Sequence, residues 1–243
     1  MSEFSGKRVL ITGGTSGIGL ALADAFRAVG ARVAVCARSD GKLGQFKSIR
    51  PEALAIKADI TDPGAQEHVF DEIADAFGGL DILVNNAGRL IDRDFVRFPP
   101  KPTELAQETA LNFLAPIQLT AAALDRFGPL TAIVFVTSGF ALVSPARAPT
   151  YGAAKAGLHG FAEGLRRQFE GSQMEVLEVL PPTVDTPATA HRAVSKVTPA
   201  VVAEATLRAL RRKKPVAFVG ATRALPMLLR LLPGVAGRVV GRS

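Results

Sequence analysis

Seven short runs of β-branched and other apolar residues recur along the 243-residue chain, at 7–12, 32–36, 53–57, 81–85, 131–137, 174–180 and 216–219. Longer stretches with apolar side chains three and four apart separate them, as at Ile18, Leu22, Ala25, Phe26 and Val29, or Val69, Phe70, Ile73, Ala74 and Phe77. The first pattern reads as strands and the second as amphipathic helices. Strands that are apolar almost throughout are covered on both faces, and parallel neighbours need a crossover connection, which the helices supply. The predicted fold is therefore α/β: a doubly wound (Rossmann) seven-stranded parallel sheet with helices on both faces. No repeat or low-complexity linker divides the chain, so residues 1–243 read as one domain. With 48% apolar and 21% charged residues, disorder and coiled coil are excluded. Residues 181–199 mix helix breakers with a short helical phrase, as expected of a loop lying over a site. Residues 224–243 form a basic, apolar tail with no clear pattern.

The single cysteine, Cys36, excludes an internal disulfide and a multi-thiolate metal site, and it points to a reducing compartment. His68, His159 and His191 show no metal-ligand spacing, so no metal is expected. The N-terminal residues pass directly into a strand-like run with no leader pattern, which predicts a cytoplasmic protein. The apolar stretch 216–240 is broken by Pro226, Pro233 and three arginines, well short of the roughly 20 apolar residues that a membrane helix requires. Net charge is +7, and residues 206–243 hold nine Lys or Arg with no Asp or Glu. This basic tail lacks Tyr and Trp for base stacking, and nucleic acid is not an expected partner. A solvated face, oligomer packing, a cover over a lipid-like substrate, or weak peripheral contact with anionic membrane remain open for it.

The first strand runs into Thr12-Gly13-Gly14-Thr15-Ser16-Gly17-Ile18-Gly19, where a helix begins at once. Glycines permit the tight turn and close approach of a ligand, and the free N–H groups at a helix start favour a pyrophosphate. At a β-to-α junction this points to a dinucleotide site, with a purely structural turn as the alternative. The second strand ends at Cys36-Ala37-Arg38. An acidic residue there would bind a ribose 2′-hydroxyl, whereas an arginine suits a 2′-phosphate, so NADP(H) is favoured with NAD(H) possible. Arg38 could equally stack on adenine. Asp40 reads as a cap of the following helix.

Tyr151 and Lys155 are four residues apart and share one helix face. A nearby ammonium stabilises phenolate, lowering the phenol pKa toward a useful range for proton transfer; a chance surface pair is the other reading. Ser138 follows the fifth strand, among the carboxyl-end loops where open α/β sheets bind ligands, and its hydroxyl can hold a carbonyl oxygen. Pro116, lacking an N–H, should free a carbonyl and bend the helix that carries Asn112.

In order and spacing, residues 12–19, Asp59, Asn85-Asn86-Ala87-Gly88, Asn112, Ser138 and Tyr151 to Lys155 resemble the motifs of the single-domain short-chain dehydrogenase/reductase family. The phrases around Asn112 and Pro181 are most similar to the branch related to DltE-type oxidoreductases. This resemblance implies reversible hydride transfer between nicotinamide and a carbonyl or secondary alcohol, with Tyr151 as general acid/base. Lys155 would hold the nicotinamide ribose, Ser138 would orient substrate, and Asn112 would anchor a water in a proton relay to Lys155. Asn112 could instead be a satisfied polar group at the bend. Gly13, Thr15, Ser16, Gly17, Ile18, Gly19, Arg38, Asp59, Ile60, Asn86, Ala87 and Gly88 would contact the cofactor. Pro181, Val184 and Thr186 would contact it at the nicotinamide end, where Pro181-Pro182 departs from the family's Pro-Gly turn. Phe140, Leu90 and His191 are substrate candidates in a largely apolar pocket, and Arg89 is a candidate for an acidic group. The resemblance also implies a homodimer or homotetramer built through the helices bearing Asn112 and Tyr151. A non-enzymatic NADP-binding regulator and a sugar-nucleotide epimerase or dehydratase are the rival readings; the second usually needs a larger C-terminal region.

Overall fold

All seven apolar runs are strands, each within a residue or so of the sequence boundaries: β1 Arg8–Thr12, β2 Arg32–Ala37, β3 Leu54–Lys57, β4 Ile82–Asn85, β5 Ala132–Val136, β6 Glu175–Leu180 and β7 Val216–Phe218. A computed structural model gives this architecture and describes residues 2–192, 194–232, 234, 235 and 237. The strands pair in parallel in the order β3-β2-β1-β4-β5-β6-β7. Strand order reverses between β1 and β4, which opens a crevice at their carboxyl ends.

Alternation along each strand divides the core in two. Val9, Ile11, Val33, Val35, Val134 and Val136 face one layer, packing on Leu22 and Phe26 of α1 (Gly17–Ala28), Leu43 and Phe46 of α2 (Asp40–Ile49), and Val202 and Leu207 of α7 (Pro199–Arg211). Leu10, Ala34, Cys36, Ile133 and Phe135 face the other. There they meet Val69, Phe70 and Ile73 of α3 (Pro63–Phe77), Leu119 and Ala123 of α5 (Ala115–Phe127), and Leu158 and Ala162 of α6 (Pro149–Gln168). Cys36 is one of these packed side chains, and burial pushes its thiol pKa up to about 12.

The helix expected around Asn112 is a composite. α4 (Pro102–Thr109) passes through one π-helical turn, Ala110–Leu114, into α5, with the Ala115 N–H bonded to the Ala110 carbonyl. Pro116 offers no N–H to the Asn112 carbonyl four residues earlier, so the wider turn forms where the α-helical ladder would break anyway. The tail is less irregular than its sequence suggests: a 3₁₀ segment, Gly220–Ala224, leads into the short α8 (Leu225–Leu231). The expectations for 233, 236 and 238–243 lie outside the described residues. Among the described residues, no helix is long and apolar enough to cross a membrane.

Two glycines in helices have opposite surroundings. A Cβ on Gly19 would collide with the Gly13 carbonyl and come within 2.6 Å of the Asn86 amide, whereas exposed Gly44 in α2 has no neighbour within 4 Å of such an atom. Gly19→Ala is expected to destabilise the protein by about 1–3 kcal/mol through overpacking. Gly44→Ala should stabilise it by roughly 0.5–1 kcal/mol. Urea denaturation of the two variants checks both signs.

Candidate active site

The crevice between β1 and β4 is held by side chains of both strands. The Thr12 hydroxyl accepts hydrogen bonds from the backbone N–H groups of Asn86 (3.0 Å) and Ala87 (2.9 Å). The Asn86 amide donates to the Thr12 carbonyl at 2.8 Å. The turn between them runs through Gly13 at φ 65°, where a Cβ would sit 3.1 Å from the Ala87 backbone. Ser16 precedes α1 as its N-cap, yet its hydroxyl makes no capping bond. Thr15, Ser16, Gly17 and Ile18 thus present a helix start and a free hydroxyl to a cleft of about 840 Å³. Gly13, Asn86, Ala87 and Gly88 line the same cleft; Gly19 does not, and packs behind the turn.

At one end of the cleft stand Arg38, Ser39, Lys42, Asp59 and Ile60. Asp59 accepts from the Thr61 N–H (3.0 Å) and hydroxyl (2.8 Å) with one oxygen, and its other oxygen lies 3.7 Å from the Arg38 guanidinium. Burial opposes ionisation of Asp59, but the Thr61 hydrogen bonds and Arg38 prevail and hold its pKa below the usual carboxylate value. Ser39, rather than Asp40, is the side chain that caps α2, accepting from the Lys42 N–H. Asp40 turns outward to Lys57 at 2.6 Å. Ser39 and Lys42 are cleft residues that the sequence reading did not single out, although they flank Arg38 at the start of the helix.

At the other end, α6 brings Tyr151 and Lys155 to the cleft one turn apart, beside Ser138 at the end of β5. Ser138 is the N-cap of the 3₁₀ turn Gly139–Ala141, its hydroxyl accepting from the Phe140 N–H at 3.1 Å. Lys155 is 3% exposed, donates to the Val136 carbonyl at 2.9 Å, and has its Nζ 5.8 Å from the centre of the Tyr151 ring. The expectation that this ammonium lowers the phenol pKa is reversed in the balance of forces. Burial is the largest influence on Tyr151 and pushes it up to about 12, with the Ser138 hydroxyl and the charge of Arg192 pulling the other way. Burial also lowers Lys155 to about 8, against the pull of the Glu178 carboxylate.

Glu178 was hidden inside the apolar sixth run, and its position there is the signal that could have exposed it. It is 1% exposed, accepting from the Thr137 hydroxyl at 2.6 Å and meeting His159 Nδ1 at 2.7 Å. Asn112 is buried and outside the cleft lining. Its amide donates to the carbonyls of Arg89 (2.8 Å) and Glu108 (3.1 Å), and its oxygen accepts from the Arg89 N–H at 2.9 Å. The side chain therefore clamps the loop after β4 onto the π-turn. Gly88 keeps this junction open, since a Cβ there would fall 2.8 Å from Asn112 Oδ1 and 3.5 Å from Lys155 Nζ.

The segment after β6 lines the cleft through residues 181–184, 186–189 and 192. Gly139 donates its N–H to the Pro181 carbonyl at 3.0 Å, and Val184 is buried and pairs with Val197 in a parallel bridge. The Thr189 hydroxyl donates to the Val184 carbonyl. Thr186 reaches the glycine turn itself: a Cβ on Gly17, at φ 54°, would stand 2.9 Å from its methyl group. Phe140 and Leu90 line the apolar end, joined by Leu111, Leu225 and Leu228, so that one face of the tail helix closes over the cleft. Met227 and Leu231 of this helix, and Leu232 just after it, are exposed. His191 is not brought to the site. Its ring faces outward at 63% side-chain exposure, 4.0 Å from Asp92, while its neighbour Arg192 turns inward and lines the cleft.

The chain as a whole is similar to known proteins. The short chain dehydrogenase family model matches residues 7–196. The uncharacterized oxidoreductase DltE of Bacillus subtilis (strain 168) is 37% identical over 186 residues, which span 76% of this chain and 74% of that protein. The 3-oxoacyl-[acyl-carrier-protein] reductase FabG of Escherichia coli (strain K12) is 33% identical over 193 residues, 77% of each chain. A crystal structure of a short chain dehydrogenase from Burkholderia cenocepacia J2315 in complex with NADP superposes with a TM-score of 0.77 at 29% identity, covering 89% of this chain and 96% of that one. The chain is a member of the short-chain dehydrogenase family of oxidoreductases.

Proposed function

We propose that the protein is an NADP(H)-dependent oxidoreductase that reduces a carbonyl, or oxidises the matching secondary alcohol, on a small molecule with an apolar body. The observation that carries this reading is one cleft holding both a glycine-lined helix start and a half-buried tyrosine beside the buried Ser138 and Lys155. The residues fit a dinucleotide: the Gly13 and Gly17 turns leave a cradle that side chains would fill, and the Ser16 hydroxyl is free at its floor. Arg38 and Lys42 provide two cations and Ser39 a hydroxyl where a 2′-phosphate would lie, which favours NADP over NAD. Asp59 and Ile60 fit the adenine side, and Pro181, Val184 and Thr186 the nicotinamide side. When bound, the nucleotide supplies the hydride in reduction and accepts it in oxidation.

Tyr151 supplies the proton. With its pKa near 12, the phenol is held in the acid form at neutral pH, ready to protonate the carbonyl oxygen as hydride reaches the carbon. Ser138 orients that oxygen, and Lys155 fixes the ribose. The Asn112 main-chain carbonyl, left without its helical N–H partner by Pro116, is suited to hold a water on the route from Lys155 to solvent. Leu90, Phe140, Leu225 and Leu228 accept the apolar body, and residues 181–199 act as its lid. A homodimer or homotetramer built through α5 and α6 accords with the half-exposed Leu114 between α4 and α5, 45% accessible in one chain.

Tyr151→Phe should lower kcat for carbonyl reduction by about a hundredfold or more while leaving NADPH binding intact; turnover that survives removes the acid/base assignment. Arg38→Ala should weaken NADPH by roughly tenfold relative to NADH, read from the two Kd values. Reductase activity should fall as pH rises through about 8, where Lys155 loses its proton. Glu178→Gln removes the carboxylate that favours charged Lys155, so the fall should move to lower pH; an unmoved profile would show that Lys155 does not set it.

A further inference from the structure

Two guanidiniums and a histidine ring lean on one carboxylate at the substrate end. Asp92 lies 2.9 Å from the Arg192 guanidinium, 3.7 Å from that of Arg147 and 4.0 Å from His191 Nε2. The next residue adds no carboxylate to the cluster: Arg93 is itself a cation, and it occupies Glu104 at 3.4 Å and Glu108 at 3.1 Å. Among the described residues, Arg192 and Arg147 have no carboxylate partner other than Asp92. Three of their nitrogens, Arg192 Nε and Arg147 Nε and Nη2, are buried without a hydrogen-bond partner. A buried guanidinium is a planar set of donors that matches a carboxylate, and unmet donors are costly unless something pairs with them.

The position matters as much as the charge. Arg192 is 7% exposed and lines the cleft that contains Tyr151, and its bond to Asp92 links that cleft to a recess of about 360 Å³ lined by Asp92, Arg93, Asp94, Phe98 and Arg147. We infer that Arg192, backed by Arg147, binds a carboxylate of the substrate, so that the substrate is an oxo acid, or the corresponding hydroxy acid, with an apolar body. This rests on the carbonyl reductase reading of the same site. The carboxylate undergoes no bond change: hydride goes to the carbonyl carbon and the Tyr151 proton to its oxygen, as for any ketone. Asp92 competes with it as an internal carboxylate, keeping Arg192 partly paired. In support, Arg192 and Tyr151 line the same cleft, and the charge of Arg192 is among the influences that pull the Tyr151 pKa down. His191, the sequence candidate for substrate contact, is at the outer edge of this cluster.

The test compares oxooctanoates, with the carbonyl adjacent to or two and three carbons from the carboxylate, against their methyl esters, using the full chain and NADPH. For at least one isomer, kcat/KM should favour the acid by about tenfold or more. Arg192→Met should collapse that ratio, chiefly through KM, and Arg192→Lys should restore part of it. Asp92→Asn should raise it by freeing both guanidiniums. If the Arg192–Asp92 pair were only a latch for the lid, both changes would affect acid and ester alike, and an unchanged ratio in Arg192→Met and Asp92→Asn overturns the inference. Calorimetric titration of the same oxo acids into protein saturated with NADP⁺ separates the two levels. Binding by wild type that Arg192→Met loses upholds the carboxylate site even if nothing turns over, which would count only against the reductase reading. Absence of wild-type binding overturns the site.

Discussion

Everything at the carboxyl edge of the sheet depends on how β1 is tied to β4. The two strands are central neighbours in parallel register, and the reversal of strand order between them forces the chain to leave in opposite directions. One threonine hydroxyl, at Thr12, receives two backbone N–H groups from the loop after β4, and Asn86 answers with its amide on the Thr12 carbonyl. This small buried exchange fixes the glycine turn against Ala87 and Gly88. Gly88 in turn leaves room for both Asn112 and Lys155. The nucleotide cradle and the proton-transfer groups proposed above are therefore referenced to the same pair of strand ends.

Desolvation, more than pairing, sets the electrostatics of the proposed proton donor. Tyr151 and Lys155 are both withdrawn from water, which disfavours phenolate and ammonium alike. Glu178, held by Thr137 and His159 within β6, resists that trend through its charge on Lys155. A carboxylate within a central strand would be a liability in isolation, but here its oxygens are occupied and its charge has a use. The site is thus biased toward a protonated phenol.

The fold was legible because its determinants are local. Continuous β-branched runs such as AIVFV at Ala132–Val136 have few alternatives to a buried parallel strand, and Gly13 to Gly19 at a strand end directs the turn. Tyr151 and Lys155 were equally legible, since four residues along a helix guarantee a shared face. What was not legible depends on residues distant in sequence. Nothing in the segment around His191 and Arg192 says which side chain turns inward; that is decided by Asp92, a hundred residues earlier. The phenol pKa went the other way from its helix-pair expectation because burial is a property of the assembled cleft. The π-turn at Ala110–Leu114 was half visible, in Pro116, but its register was not. Glu178 is faint in the sequence because a lone charge does not interrupt the apolar character of its run, and the partners that make it matter, Thr137 and His159, come from other elements.

The contact between Gly17 and Thr186 has a mechanical meaning. The segment after β6 can rest where it does only because residue 17 carries no side chain, and the same bareness gives a pyrophosphate room at the start of α1. The turn and the segment after β6 therefore meet at one point: a side chain at residue 17 would crowd Thr186, whose hydroxyl is linked through that of Thr189 to the Val184 carbonyl. The size of residue 17 thus sets two boundaries of the cleft at once, the start of α1 and the segment after β6.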